Sequence, residues 1–427
     1  MQFRASLFQD QRTLRFRGAD SDSNGQDASV RLVSHGAWQV DALAYVQARN
    51  FSNIVISSTS FRPTLNQRNT PSSGIGGKIE LRPPLGQTHT VRIGVDARLA
   101  SGTMYEDAYN ANLATNPLTA HHQAGGQNFN SGAFVEDDWT IGPVVLNGGA
   151  RLDYWAISNG SYRATTPTGA VTTNNLFADR SGTEFNGHLG ARWAPLPWLA
   201  LRAAAYSGFR LPTLNELYRP FSVFPVTTQA NAALTPERLK GVEAGIEFSP
   251  TQGVSVRATA FDNRLSDAIA NVFLSTNLYQ RQNINAITTK GVEVEVSARH
   301  GPLTLSASYS YSDPRIDAPG QGFNGFIPAQ TPRNAANGTL SWTVKRNAVL
   351  SVSGAYVSRA YEDDNQSFVL PPALTISAVG DIALSSRLRL VARVENIFNA
   401  TVITRNQAGS EDLGVPRLFW IGIEFKT

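Results

Sequence analysis

The chain has no cysteine among its 427 residues, which excludes disulfide scaffolds, thiolate zinc sites and thiol catalysis. Charge is sparse: Asp, Glu, Lys and Arg make up 16%, against about 25% in ordinary soluble domains. Lysine is scarcer still, with five residues (Lys78, Lys240, Lys290, Lys345, Lys426) against 32 arginines. The arginines are scattered singly, so the clustered basic footprint of a nucleic-acid binder is missing. No run of about 18 apolar residues occurs, and no transmembrane helix is expected. Met1 to Arg17 alternates with charges and lacks the apolar segment of a secretory signal. Among six histidines no H-E-x-x-H spacing occurs, and no G-x-S-x-G elbow is present. The sequence therefore gives no ground for an enzyme and calls for no cofactor.

What is present is alternation with period two, the signature of strands. Val91, Ile93, Val95, Ala97 and Leu99 alternate with Arg92, Gly94, Asp96 and Arg98. Val292, Val294, Val296 and Ala298 alternate with Glu293, Glu295, Ser297 and Arg299, and residues 143–155, 303–311 and 388–395 follow suit. Runs of about ten residues match the nine to eleven that cross a bilayer at a tilt, whereas strands of soluble proteins average five or six. The reading is all-β.

The connections carry a second signal. Short turns are expected at 9–11, 35–37, 83–88, 141–143, 195–197, 249–253, 300–302, 345–347 and 385–387. Between them lie long polar segments at 18–28, 50–76, 100–129, 156–183, 209–236, 264–289, 313–333, 359–373 and 396–415. Strict alternation of short and long belongs to a transmembrane antiparallel β-barrel of outer-membrane type. Trp38, Trp139, Trp193, Trp198 and Trp342 sit near proposed short turns, as an aromatic girdle at one membrane interface would. These connections imply about 19 strands, and single-chain bacterial barrels have even counts. Starting on a downward strand, the chain would need an odd number of earlier strands, three for a barrel of 22.

Gly208-Phe209-Arg210-Leu211-Pro212-Thr213-Leu214-Asn215-Glu216-Leu217-Tyr218-Arg219-Pro220-Phe221 resembles the GFRxPTLNELY stretch of TonB-dependent outer-membrane receptors. Leu234, Pro236, Glu237, Glu243, Gly245 and Glu247 resemble the strand that follows it in that family. Glu395-Asn396-Ile397-Phe398-Asn399 and Gly414-Val415-Pro416-Arg417 are similar to its ENLFN…GxPR ending. The resemblance implies a receptor barrel of the outer membrane for TonB-energised uptake of a scarce nutrient such as a ferric siderophore, haem or cobalamin. It implies short periplasmic turns, long extracellular loops, contact with outer-membrane lipid and a monomer. Residues 1–427 are then expected to be a partial barrel without plug domain or TonB box, with the TonB complex a partner of the full-length protein only. A passive porin-like channel and a truncated, non-functional fragment are the alternatives.

Candidate ligand contacts follow from the motif and the loops. Arg210, Asn215, Glu216 and Tyr218 follow a strand at its extracellular end, where they either line a ligand cavity or brace one loop against another. His121 and His122 are expected in a long loop, where they meet haem or a metal chelate or form a solvated pair. Tyr105 and Tyr361 are further loop aromatics. Glu362-Asp363-Asp364 either binds calcium or forms a solvated turn. Glu136 and Asp138 should face the lumen beside arginines such as Arg151, and Gly74-Ile75-Gly76-Gly77 should end a loop before strand 78–82.

Overall fold

Alternating residues become strands here because each strand turns its apolar residues to one face and its polar residues to the other. The computed structural model describes residues 1–14, 16–223, 226–345, 347–407 and 410–425, with one helix among them, Leu214–Tyr218. Its main sheet holds 20 strands. In chain order they are Gln2–Thr13, Asp20–His35, Gln39–Ile56, Pro63–Asn69, Ser72–Arg82, His89–Tyr109, Leu118–Ile141, Val144–Thr165, Val171–Leu176, Arg180–Leu196, Leu199–Arg210, Glu237–Phe248, Val254–Ser266, Ala286–His300, Leu303–Asp317, Asn334–Lys345, Ala348–Val357, Ala373–Ala383, Leu388–Glu395 and Leu418–Phe425. All pair antiparallel. Pro63–Asn69 and Ser72–Arg82 share the same two neighbours and form one interrupted line. Val171–Leu176 and Arg180–Leu196 form another along Val144–Thr165. The 20 strands thus make 18 lines of an up-and-down wall.

Connections at one end are short, for example 36–38, 142–143, 197–198 and 301–302. Those at the other end grow long, above all 211–236, 267–285, 318–333, 358–372 and 396–417. Several expected boundaries move. Residues 9–11 lie inside the first strand and 18–28 largely inside the second, paired in continuous register from Gln2↔Arg31 to Thr13↔Asp20. The chain therefore starts on a strand running toward the long-loop end, and the parity that demanded an odd number of further strands does not hold. The expected loops 100–129 and 156–183 are mostly strand as well, since His89–Tyr109, Leu118–Ile141 and Val144–Thr165 run 21, 24 and 22 residues. At about 3.3 Å per residue, 24 residues reach ~80 Å, far past a 30 Å hydrocarbon layer. Beyond that layer both faces of a strand are polar, so alternation vanishes while the hydrogen-bond ladder continues. Gly74 to Gly77 likewise lie within Ser72–Arg82, where Gly76 leaves room for the Tyr45 ring.

One face of the wall is apolar and exposed, with Ile93, Val95, Leu152, Phe185, Leu305, Leu340 and Val352 along it. Trp38, Trp139, Trp193, Trp198 and Trp342 are exposed near the short-turn end, as the sequence led us to expect. The other face is polar and cross-linked by ion pairs, including Arg31–Asp41 at 2.6 Å, Arg151–Asp96 at 2.6 Å and Arg192–Glu247 at 2.9 Å. Asp138 and Glu136 do face this side, but Arg92 is their partner, at 2.8 and 3.7 Å. Arg151 instead joins Asp96 and Asp153. The polar face is concave: Arg219, which follows Leu199–Arg210, reaches Glu106 of His89–Tyr109 across the intervening strands. This is a barrel wall of outer-membrane type, with an apolar outer surface and a polar lumen.

Candidate functional site

A barrel wall one strand thick has little core of its own, so the packed apolar cluster marks where something else rests on it. Met104, Ala124, Trp155 and Ile157 from three long strands close over Leu217, Tyr218 and Leu234 of the 211–236 connection. Burying Leu217 and Tyr218, at 1% and 2% exposure, stabilises this seat by about 1.5–3 kcal/mol for each such side chain. Tyr218 stacks on Phe177 with ring centroids 4.9 Å apart. Its ring lies over Gly126 and Gly160, and a Cβ at Gly160 would collide with it.

The helix above this seat has five residues and depends on its cap. The Thr213 hydroxyl accepts the Glu216 N–H at 3.2 Å, and the Glu216 carboxylate accepts the Thr213 N–H at 2.7 Å. This capping box satisfies donors that a short helix leaves open. Arg210, the last residue of its strand, stands in register with Glu237, the first of the next. Its Nε donates to Glu237, and its two terminal nitrogens reach Glu216 at 3.0 and 3.1 Å. Burial pushes the Glu216 carboxyl up, but hydrogen bonds from Arg210 and Thr213 outweigh it and hold it below the ordinary carboxylate range.

Arg219 continues the arrangement by donating to buried Glu106, whose other oxygen lies 3.3 Å from His122 Nδ1. Arg281, from the neighbouring 267–285 connection, donates to the carbonyls of Asn215 at 2.7 Å and Arg219 at 3.0 Å. The two connections also share a four-stranded sheet, in which Val226–Gln229 pairs in parallel with Leu278–Asn283. Arg210, Asn215, Glu216, Tyr218 and His122 therefore converge on one assembly. Arg210, Glu216 and Tyr218 are engaged in it, while Asn215 is exposed and its side chain has no partner among the described residues.

His121 and Tyr105 lie elsewhere. Both histidines are in the strand Leu118–Ile141 rather than a loop, and adjacent strand residues point to opposite faces. His122 faces the lumen; His121 faces outward, 2.7 Å from Asp107. Tyr105 shares that outward face, in register with Gln123. Tyr361 sits in the 358–372 connection, its carbonyl accepting the Gln330 N–H at 2.6 Å and its ring lying under the Arg359 guanidinium, 5.6 Å from the ring centre. Beside it, Glu362 accepts from Asn406 N–H at 2.9 Å, and Asp364 from Ala329 N–H at 2.9 Å. Those acids clamp three connections together. No group of three or more metal-ligating side chains occurs among the described residues. Glu106, Arg219 and Arg281 are not among the contacts expected from the sequence; only Arg219 has a local signal, as part of the motif that holds Tyr218.

A family model described as TonB dependent receptor-like, beta-barrel matches residues 3–397. A haemoglobin and haemoglobin-haptoglobin-binding protein of Haemophilus influenzae is 27% identical over 256 residues, covering 52% of this chain and 23% of that protein. A vitamin B12 transporter of Vibrio vulnificus is 24% identical over 277 residues, covering 62% of this chain and 42% of that protein. The chain thus spans less than half the length of these curated relatives. Among solved structures, the ferric yersiniabactin uptake receptor of Yersinia pestis superposes with a TM-score of 0.76 at 14% identity, over 95% of this chain and 61% of that one. A copper transporter superposes with a TM-score of 0.74 at 18% identity, over 95% and 66%.

Proposed function

The chain belongs to the TonB-dependent receptor β-barrel family, and from that premise we propose that it is the ligand-facing barrel of an outer-membrane nutrient receptor. The 20 strands of the main sheet form the wall, with the short turns toward the periplasm and the long connections toward the medium. One observation carries the reading: the longest connections lie at one end of a polar lumen, 211–236 being tied to the wall by Arg219–Glu106 and to 267–285 by Arg281, and 358–372 to 396–417 by Glu362. Loops that only capped a barrel would not need such fixing. A binding surface does, because ordering it beforehand removes an entropy cost from association. Coupling to the TonB complex belongs to the whole protein.

The ligand is a small nutrient of the siderophore, haem or cobalamin class. Asn215 and Tyr361 offer it hydrogen-bonding and aromatic contact, while Arg210, Glu216, Tyr218 and His122 hold the surface in place; Tyr105 and His121 supply the outer rim. A passive pore has less to support it, since it needs no clamped loops. The test is a titration of the chain in lipid vesicles with a ferric siderophore, haemin and cyanocobalamin, read by tryptophan fluorescence. One of them should bind, and Asn215→Ala should weaken that binding about tenfold with an unchanged circular dichroism spectrum. Binding of none of the three would sink the proposal.

A further inference from the structure

The ladder between Arg180–Leu196 and Leu199–Arg210 stops short of the long connections. Its last pair at that end is His188↔Tyr206. One step further, the Ser207 hydroxyl accepts the Gly187 N–H at 3.0 Å in place of a backbone carbonyl. On the apolar outer face this splay leaves a groove of about 550 Å³ lined by Phe185, Leu189, Ala205 and Val242. Ala205 stands in register with Leu189 on one side and Val242 on the other, so a small residue forms the floor between two larger ones.

At the long-loop end the groove meets Lys240 and Arg264, which stand in register on adjacent strands. Lys240 lies eight residues from Phe248, whose ring contacts Trp198 of the girdle. At about 3.3 Å per residue and a strand tilt near 40° that is ~20 Å. The two cations thus mark the far edge of an apolar band about 25 Å tall. The other charges around them are paired. Arg238 holds Glu184 and Asp267 at 2.6 and 2.9 Å, and Arg264 reaches Asp317 at 3.3 Å. Asp262, which also lines the groove, is held by Lys290 at 3.0 Å, and Asp313 by Arg315 and Arg333. The Lys240 ammonium is exposed and has no hydrogen-bond or ion-pair partner among the described residues.

We propose that this groove seats an acyl chain of a phosphate-bearing lipid, whose headgroup rests on Lys240 and Arg264. Ammonium and guanidinium both donate charge-assisted hydrogen bonds to phosphate oxygens. A methylene chain supplies the packing partners that an open apolar groove lacks. A basic residue at the membrane surface attracts an anionic headgroup, and here the uncompensated one stands where the groove ends. The site rests on the receptor reading only in setting the apolar outer face against lipid.

The test is native mass spectrometry of the whole chain in neutral maltoside micelles. The micelles carry equal amounts of dioleoyl phosphatidate and dioleoyl phosphatidylcholine, which share their acyl chains. The parent should retain phosphatidate at least fivefold over phosphatidylcholine. Lys240→Gln should bring that preference below about twofold, and Lys240→Arg should keep it. Lys345→Gln, at the short-turn end, should leave it unchanged. Ala205→Leu, which fills the floor without touching a charge, should lower retention of phosphatidate at least twofold. An excess of inorganic phosphate should displace none of it. A parent without preference, a Lys240→Gln variant that keeps it, or an equal loss in Lys345→Gln overturns the proposal. So does full retention in Ala205→Leu, and so does displacement by inorganic phosphate, which would mean a site for the free anion. No nutrient enters these measurements, so failure here and failure of the siderophore, haemin and cobalamin titration are read separately.

Discussion

At the residue scale, the site depends on one side chain that is missing. Gly160 sits under the Tyr218 ring, in a place where a Cβ would collide with it, so a single methyl opposes a contact that seats a whole loop. Gly380, in a strand on the far side of the wall, has nothing within 4 Å of the same position. Gly160→Ala should lower the opening free energy of segment 211–236 by about 1–3 kcal/mol, the usual cost of overpacking. Amide hydrogen exchange in that segment should then rise roughly five- to a hundredfold, while Gly380→Ala leaves it unchanged. Equal rates in the two variants would mean that the ring is not held against this strand. The asparagines of the last motif also act through the backbone. Asn396 and Asn399 have φ of 47° and 52°, in the left-handed region that asparagine tolerates. Asn396 accepts the Ala400 N–H at 2.8 Å and Asn399 that of Arg417 at 2.9 Å, so the resemblance there marks a turn that closes a loop.

At the scale of the element, a five-residue helix is too short to persist by itself. Leu214–Tyr218 has its capping box, the Arg210 fork and the apolar seat. These are separable through pH. The Glu216 carboxyl is held below its ordinary value near 4.5. A group depressed by folding binds more protons in the opened state, so its stabilisation is complete above the unfolded value and is lost as pH falls through the folded one. Exchange in segment 211–236 should accelerate on acidification below about pH 4.5. Glu216→Gln, which keeps the shape and loses the charge, should open more readily at pH 7 and respond less to acid. A variant whose acid response matched the parent would show that the charge on Glu216 is idle. The element scale also explains the misplaced boundaries. The outer halves of His89–Tyr109 and Leu118–Ile141 pair residue by residue from Ser101↔Gln127 to Ala108↔Ala120, but with water on one side and loops on the other no apolar stripe is needed.

At the scale of the whole molecule, neighbouring residues of a strand meet different solvents. Leu305 lies on the exposed apolar face and Ser306 on the lumen face. Leu305 stands in register with Leu340, two residues beyond Trp342 of the girdle, so Leu305→Arg should cost about 1–2 kcal/mol, between the interfacial and midplane values, whereas a lumen substitution is tolerated. Ser306→Arg should therefore insert into vesicles like the parent and Leu305→Arg markedly less, measured by urea-dependent folding into lipid. Equal yields would mean the faces are assigned the wrong way round.

The sequence alone determined the all-β class, the outward girdle of tryptophans and the alternation of short and long connections, because each follows from a local period or from residue type. The family was legible for the same reason: Arg210 to Tyr218 and Glu395 to Asn399 are contiguous in the chain. Only the tertiary structure decided that Arg210 spans Glu216 and Glu237, that Arg219 reaches Glu106 and that Arg281 ties two connections. It also decided that His121 and His122 part to opposite faces, because strand pairing extends past the point where alternation ends. Such partners lie up to 113 residues apart, and a sheet's curvature, unlike its period, leaves no mark on any single stretch of chain.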